Sequence, residues 1–377
     1  MKRYIKEIVT KGDRNGNGMV VRFQLPSGLE IFGLPTENFY GGHWDLGPTW
    51  NFVVMADAPF LVDSGRFGQG GNLIDMMRSA HIRTGDLEFV LISHGHEDHD
   101  GGLAELVRST DLKVKAHTIY DLLIRTYADQ APPGDKREFP AKCWHCPMPE
   151  SFYAKNCLGY HQVLQKLEIE RIADDKSELG PDIRTYHLPG HSPDCLAVLL
   201  GTEAVIVGDI VLPEITPWPT REALYDDVAG IVKHHYKEPG TIFGLGRYIK
   251  SLKKLYKIAG RYPGILVFPA HRMFYGGRWN DIFLADRINE IIGHHIQRCS
   301  AILEILRNGP LTAEEIAQEH FDEDLLAGFG GLMAANEIIS HCEVLIKNGD
   351  LIAGKDKRYA ATGKSNFEKD IGLNSGS

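Results

Sequence analysis

An apolar run, Phe89-Val90-Leu91-Ile92, delivers the chain into Ser93-His94-Gly95-His96-Glu97-Asp98-His99-Asp100-Gly101-Gly102, and a helical pattern of Leu103, Leu106 and Val107 leads out. This reads as a strand-to-helix loop, where α/β folds favour ligand sites. His94 and His96 lie two apart in extended chain, which puts both imidazoles on one side; Asp98 and His99 follow where the chain turns. Gly95, Gly101 and Gly102 remove side chains that would keep backbone from folding closely around an ion. Imidazole and carboxylate are the ligands zinc takes when no thiolate is offered, and manganese and iron accept the same set. A solvated polar loop needs no such string.

Three later runs end in further donors. Ile183–Leu188 leads to Pro189-Gly190-His191-Ser192, which lets His191 enter the same mouth and complete a three-histidine set with His94 and His96. Ala204–Val207 leads to Gly208-Asp209, a buried strand ending in a carboxylate whose two oxygens can each face a metal. Gly264–Phe268 leads to Pro269-Ala270-His271, the last imidazole beside Asp98 and His99.

The loop string and these segments, in this order over residues 50 to 271, resemble the metallo-β-lactamase superfamily, the fold of glyoxalase II, ribonuclease Z and many lactonases. The resemblance implies an α/β fold, an αββα sandwich, with a catalytic domain over residues 1–290. It implies Asp98 and Asp63 as catalytic groups, Asp63 bracing the metal loop from behind; by position alone Asp63 is equally a cap for a helix over 71–80. Two residues depart from the family pattern: Asp194 and Ala270 stand where glycine is usual. Both adjoin ligands and bear on the shape of the pocket.

The implied activity is that of a dinuclear hydrolase. Two divalent ions, zinc first and iron or manganese next, outweigh the charge of Asp98, Asp209 and a bridging hydroxide, so the pocket welcomes negative charge. A metal-bound hydroxide attacks a carbonyl or phosphorus centre, with no serine or cysteine nucleophile required; Cys195 is most simply core. Superfamily members that act as diiron oxidoreductases generally carry a carboxylate in place of His96, which this chain does not.

A chain of 377 residues with 43% apolar and 24% charged residues suits about two globular domains. Its formal net charge of −9 argues against a nucleic-acid or anionic-membrane partner. The start lacks a signal-peptide core and no stretch is long enough to span a membrane, so a cytoplasmic location is expected; six cysteines without a dense framework fit a reducing compartment.

A hairpin over 19–33 precedes an aromatic loop, Phe39, Tyr40 and Trp44, which either walls a pocket or caps the sheet. An irregular insertion is expected at about 117–165. Within it Cys143, Cys146, Cys157 and His161 have spacing for a structural zinc, the alternatives being buried thiols or a redox pair. A helix at about 245–259 sets Lys250, Lys253, Lys254 and Lys257 on one face, against a phosphate-bearing substrate or simply solvent, and Ile249, Leu252, Leu255 and Tyr256 on another.

From about residue 282 the pattern is helical, with Thr312 and Glu315 forming a capping box, a helix at 332–347 and a hairpin through Asn348–Ile352 and Lys357–Ala360. That order resembles the winged-helix module of animal β-lactamase-like protein two and its bacterial relatives, and is assigned to 291–363, with a disordered polar tail at 364–377. In that subfamily the module covers the active site or a dimer contact, which leaves a homo-oligomer open. The longest of these helices carries Glu337, His341 and Glu343 and is not basic, which disfavours a DNA-binding regulator. The substrate expected is an ester or thioester of a small acid; the alternative is a phosphodiester, cleaved by a nuclease or phosphodiesterase of the same fold.

Overall fold

The computed structural model describes residues 4–39, 45–126, 151, 155, 157–174, 177–328 and 330–373. Two sheets form from consecutive stretches of chain. The first holds eight strands in sequence order: β1 (Ile5–Thr10), β2 (Val20–Gln24), β3 (Glu30–Thr36), β4 (Thr49–Met55), β5 (Phe60–Val62), β6 (Phe89–Ile92), β7 (Lys113–His117) and β8 (Ile169–Ile172). Its β1–β5 pairings are antiparallel and those from β5 to β8 parallel. The second holds β9 (Ser177–Gly180), β10 (Ile183–His187), β11 (Leu196–Leu200), β12 (Ala204–Gly208) and β13 (Leu266–Pro269), in the order β13-β12-β11-β10-β9.

Alternation along each strand explains the layers. Phe52, Val54, Phe89 and Leu91 of the first sheet meet Leu196, Val198, Ile206 and Phe268 of the second in one core. Their neighbours Val53, Val90 and Ile92 face outward, under the helices α1 (Gly70–Ser79), α2 (Glu97–Asp100, one turn in the metal loop), α3 (Leu103–Ser109), α4 (Thr118–Ile124), α5 (Leu158–Leu164) and α6 (Leu224–Val232). Ala197, Leu199, Val205 and Val207 face the other way, under α7 (Leu245–Arg261) and α8 (Leu284–Ile305). Strands buried on both faces must be apolar throughout, which is why these runs carry no alternation. The architecture is a four-layer αββα sandwich.

Direction matters more than order for the site. β10 and β12 are each antiparallel to β11, and β13 is parallel to β12, so all three end at the same edge of the second sheet. Those ends lead to His191, Asp209 and His271.

Beyond β13 lie a short ribbon, β14 (Phe274–Tyr275) and β15 (Arg278–Trp279), then α8, α9 (Ala313–His320), α10 (Glu323–Leu326), α11 (Gly330–Lys347), a hairpin of β16 (Leu351–Ala353) and β17 (Tyr359–Ala361), and α12 (Glu368–Ile371). The Thr312–Glu315 capping box is present. No helix among the described residues is long and apolar enough to cross a membrane.

Several expectations are corrected. The boundary at 290/291 falls inside α8, whose apolar side shares one core with α7 and the second sheet. The tail is docked as far as residue 373: Phe367 is fully buried and its N–H donates to Asp350. Residues 118–124 and 158–164 of the insertion are helices with buried faces. Cys143 and Cys146 of the expected zinc site lie outside the described residues, while Cys157 and His161 are buried one turn apart. Tyr40 and Trp44 also lie outside them, and Phe39 is exposed. Tyr256 leaves the apolar face of α7 for solvent. Lys253 donates to the Asp370 carbonyl and Lys254 lies over the Tyr186 ring, so part of the lysine face is used within the fold.

Candidate metal centre

The loop after β6 is wrapped too tightly for side chains at two of its glycines. A Cβ on Gly101 would lie 2.3 Å from the Phe67 nitrogen, and one on Gly102 would lie 2.2 Å from the Ser64 carbonyl oxygen. This closeness lets Ser64 reach back with both N–H and Oγ to the His99 carbonyl, at 2.8 and 2.9 Å.

The donor side chains fall into two groups. His94, His96, His191 and Asp209 bring ligand atoms within 4.8 Å of one another, and Asp98, His99 and His271 do the same. Asp209 faces both: its Oδ2 is 3.5 Å from His191 Nε2, while its Oδ1 is 3.5 Å from His99 Nε2 and 3.4 Å from His271 Nε2.

Partners behind the rings fix the tautomers. Asp63 accepts from Ser93 N–H at 2.7 Å and Ser93 Oγ at 2.8 Å. Ser93 Oγ, having given its proton, accepts from His94 Nδ1 at 3.1 Å. Asp63 also takes the Nδ1 proton of His99 at 2.9 Å, and the Trp218 carbonyl takes that of His191 at 2.8 Å. With Nδ1 engaged in this way, Nε2 of each ring is turned into the site. Asp63 therefore braces the loop, and α1 takes Gln69, not Asp63, as its N-cap residue.

Charge follows from this crowding. Burial opposes a charged His99, yet the Asp98, Asp209 and Asp63 carboxylates outweigh it and hold that ring well above the ordinary histidine value. Burial likewise opposes a charged His271, but Asp209 and Asp98 push it up to about 9. His94 is held well below its ordinary value, by burial first and by His99 and His96 next. Burial would raise the Asp209 carboxyl, and His271 and His99 more than reverse that. Without a metal, protons on His99 and His271 balance the buried Asp98 and Asp209 carboxylates, and a bound cation would supply the same charge.

The family model of the metallo-beta-lactamase superfamily matches residues 44–271, more than half of the chain. The chain belongs to the metallo-beta-lactamase superfamily. Solved structures with the same fold include a metallo-beta-lactamase family protein of Thermus thermophilus, 20% identical, covering 89% of this chain and 99% of that one with a TM-score of 0.60. A beta-lactamase domain protein of Burkholderia ambifaria is 19% identical over 90% of this chain and 95% of its own, with a TM-score of 0.62.

The metals that this superfamily implies fit the residues present. Nε2 of His99, His191 and His271 and Oδ1 of Asp209 are buried without a hydrogen bond. Their separations of 3.4 and 3.5 Å match the roughly 3.3 Å between ligand atoms on a tetrahedral zinc.

Three contributors escape sequence reasoning. Asn38 Nδ2 and Thr49 Oγ1 hold Asp98 Oδ2 at 2.9 and 3.2 Å, and Trp218 acts through its backbone. None carries a sequence signal, because each acts across the fold. Asp194, visible as a departure from the family pattern, accepts from the Gly95 N–H at 2.9 Å.

Two further groups bring histidines and carboxylates together without suiting a metal. His117 and His187 stack face to face at 3.8 Å, so their lone pairs run side by side, and His117 Nδ1 already accepts from the Ile119 N–H. In the His294, His295 and Glu337 group the Arg298 guanidinium pairs with Glu337 and supplies the positive charge.

Proposed function

We propose that the protein is a dinuclear metal hydrolase acting on an ester or thioester of a small acid. His94, His96 and His191 would hold one ion, Asp98, His99 and His271 the other, with Asp209 between them; zinc suits this donor set best. The observation that carries the reading is Asp209, whose two oxygens face different donor groups. Ions bound there supply Lewis acidity toward a carbonyl oxygen and a lowered pKa for water.

The chain's own residues supply geometry and exclusion. Asp63 keeps the Nδ1 proton of His99, and Asn38 and Thr49 fix the carboxylate plane of Asp98. Burial pushes the Cys195 thiol well above its ordinary value, so it offers no thiolate nucleophile. The acyl preference is supported by the net charge of −9, unfavourable to a polyanion, and by exposed Phe39 and Phe67. Phe67 N–H donates to Glu97 of the metal loop and Arg66 reaches the Phe39 carbonyl, which tethers both aromatics beside the site.

The test is metal analysis, expected to give about two ions per chain, followed by kcat/KM for an acyl thioester against a bis-aryl phosphodiester on one zinc-loaded preparation. Faster turnover of the phosphodiester, abolished by His191→Ala, would overturn the acyl reading. Asp209→Ala with undiminished metal content would end the bridging role.

A further inference from the structure

Residues 212–223 run between Asp209 and α6 without helix or strand of their own. This strap carries the Trp218 carbonyl to His191 Nδ1 at 2.8 Å. Two residues on, Thr220 donates from both N–H and Oγ1 to the Gly190 carbonyl, at 2.7 and 2.8 Å. Strap and ligand loop are therefore joined at His191 and at the residue before it. The ligand loop is pinned on its other side as well: Gly190, at φ 137°, lies so close to α7 that a Cβ would fall 2.4 Å from the Tyr248 Cα.

The strap is gripped at both ends by residues from beyond the superfamily match at 44–271. Arg287 of α8 donates from Nε to the Leu212 carbonyl at 2.7 Å and from Nη2 to the Ile215 carbonyl at 2.8 Å. Glu343 of α11 accepts from the Glu222 N–H at 2.7 Å and the Ala223 N–H at 3.1 Å. Burial pushes the Glu343 carboxyl up to about 7, so at pH 8 both are charge-assisted pairs, each spanning two backbone groups, and roughly twice as strong as neutral hydrogen bonds. Trp218 lies between the two grips.

We propose that Arg287 and Glu343 are positioning residues for His191: by clamping the strap on both sides, the C-terminal helices fix the Trp218 carbonyl and with it the tautomer and aim of that ring. The proposal rests on reading His191 as a metal ligand. Partners that hold the far N–H of a ligating histidine typically govern 10–100-fold in metal affinity. The superfamily portion alone then has its ligands but lacks the two clamps that hold the strap behind one of them.

The experiment uses the full chain with Glu343→Ala and Arg287→Met, and Glu304→Gln, in an exposed pair on the same helix, as control. Long-range proton–nitrogen NMR of 15N-histidine-labelled, metal-free protein at pH 8 reads the His191 tautomer, assigned with His191→Gln. Zinc titration against a chromophoric chelator reads the two equivalents separately. Wild type and Glu304→Gln are expected to show Nδ1–H. Glu343→Ala and Arg287→Met are expected to show mixed tautomers and about a 10-fold loss for one zinc equivalent, the other unchanged. Unaltered tautomer and affinity in variants whose circular dichroism is native would overturn the proposal. If Glu343→Ala does not fold, Glu343→Gln, which keeps one acceptor, must give a smaller shift in the same direction or the proposal fails. A tautomer shift in the two variants, alongside wild-type protein that takes up no zinc, would sink the metal reading and leave the clamp standing.

Discussion

Asp194 joins two ligand-bearing loops through a fully buried carboxylate. Its Oδ2 accepts from the Gly95 N–H, between His94 and His96, and its Oδ1 accepts from Ser192 Oγ, next to His191. Replacing it with Ala leaves the Gly95 N–H without this acceptor in a buried site, at a cost of about 1–3 kcal/mol. We expect Asp194→Ala to lower Tm and weaken zinc binding about 10-fold, and Asp194→Asn, which keeps an acceptor and a donor in place, to restore most of both. Thermal melts and chelator competition check this; equal losses in the two variants would assign the effect to charge instead. The donor groups could be read from sequence because they follow apolar runs, and the structure brings them together in two groups. Asp194, Asn38 and Thr49 act on partners 99, 60 and 49 positions away, and no local pattern encodes a contact across that distance.

Between α8 and α11 lies a row of buried imidazoles. His341 Nδ1 donates to the Glu337 carbonyl at 2.7 Å, so its Nε2 accepts from His295 Nδ1 at 3.0 Å and only one proton fits between the rings. Burial pushes both rings well below the ordinary histidine value; His341, His294 and Arg298 add to this for His295, and Arg298, His294 and His320 for His341. His294 is pushed down to about 4 by burial, with help from Arg298 and Arg287, and His320 is lowered by burial and Arg298. Glu337 is the facing carboxylate, and it is paired with Arg298. Folded values that are depressed mean stability fully present above about pH 6.5 and lost as pH falls toward 4, by an order of a few kcal/mol. Protection factors of the α8 and α11 amides, corrected for the slower intrinsic exchange at low pH, should therefore fall between pH 7 and 4.5, and equal protection at both ends would refute it. At this scale periodicity placed α7 and α11 within two residues at each end and identified an apolar side. It could not say that Tyr256 would leave that side, or that Lys253 and Lys254 would find partners in Asp370 and Tyr186, since those depend on which neighbours arrive.

Across the whole molecule, the sandwich was legible through the superfamily resemblance, which the loop string and the donors at the ends of successive apolar runs carry. The C-terminal boundary was not, because a change in composition near residue 282 does not reveal that α8 packs into the core already begun by α7. The tail was misread for a related reason: among its described residues only Phe367 and Ile371 are buried, too few to make a pattern. Phe367→Ala should cost about 3–5 kcal/mol in urea unfolding if the segment is part of that core, and near zero if it is not. Removing metal with a chelator should lower Tm, since ligand at 100 times its Kd adds about 2.7 kcal/mol to the folded state. The two sheets arise from successive stretches of chain, with His94, His96, Asp98 and His99 on a loop after a strand of the first and His191, Asp209 and His271 after strands of the second. An ion bound at either position would therefore be a rivet through both halves, and a rivet goes in after the plates are aligned. Uptake by a refolding chain would then be timed by the closing of the sandwich, and raising the concentration of zinc is expected to leave its rate unchanged.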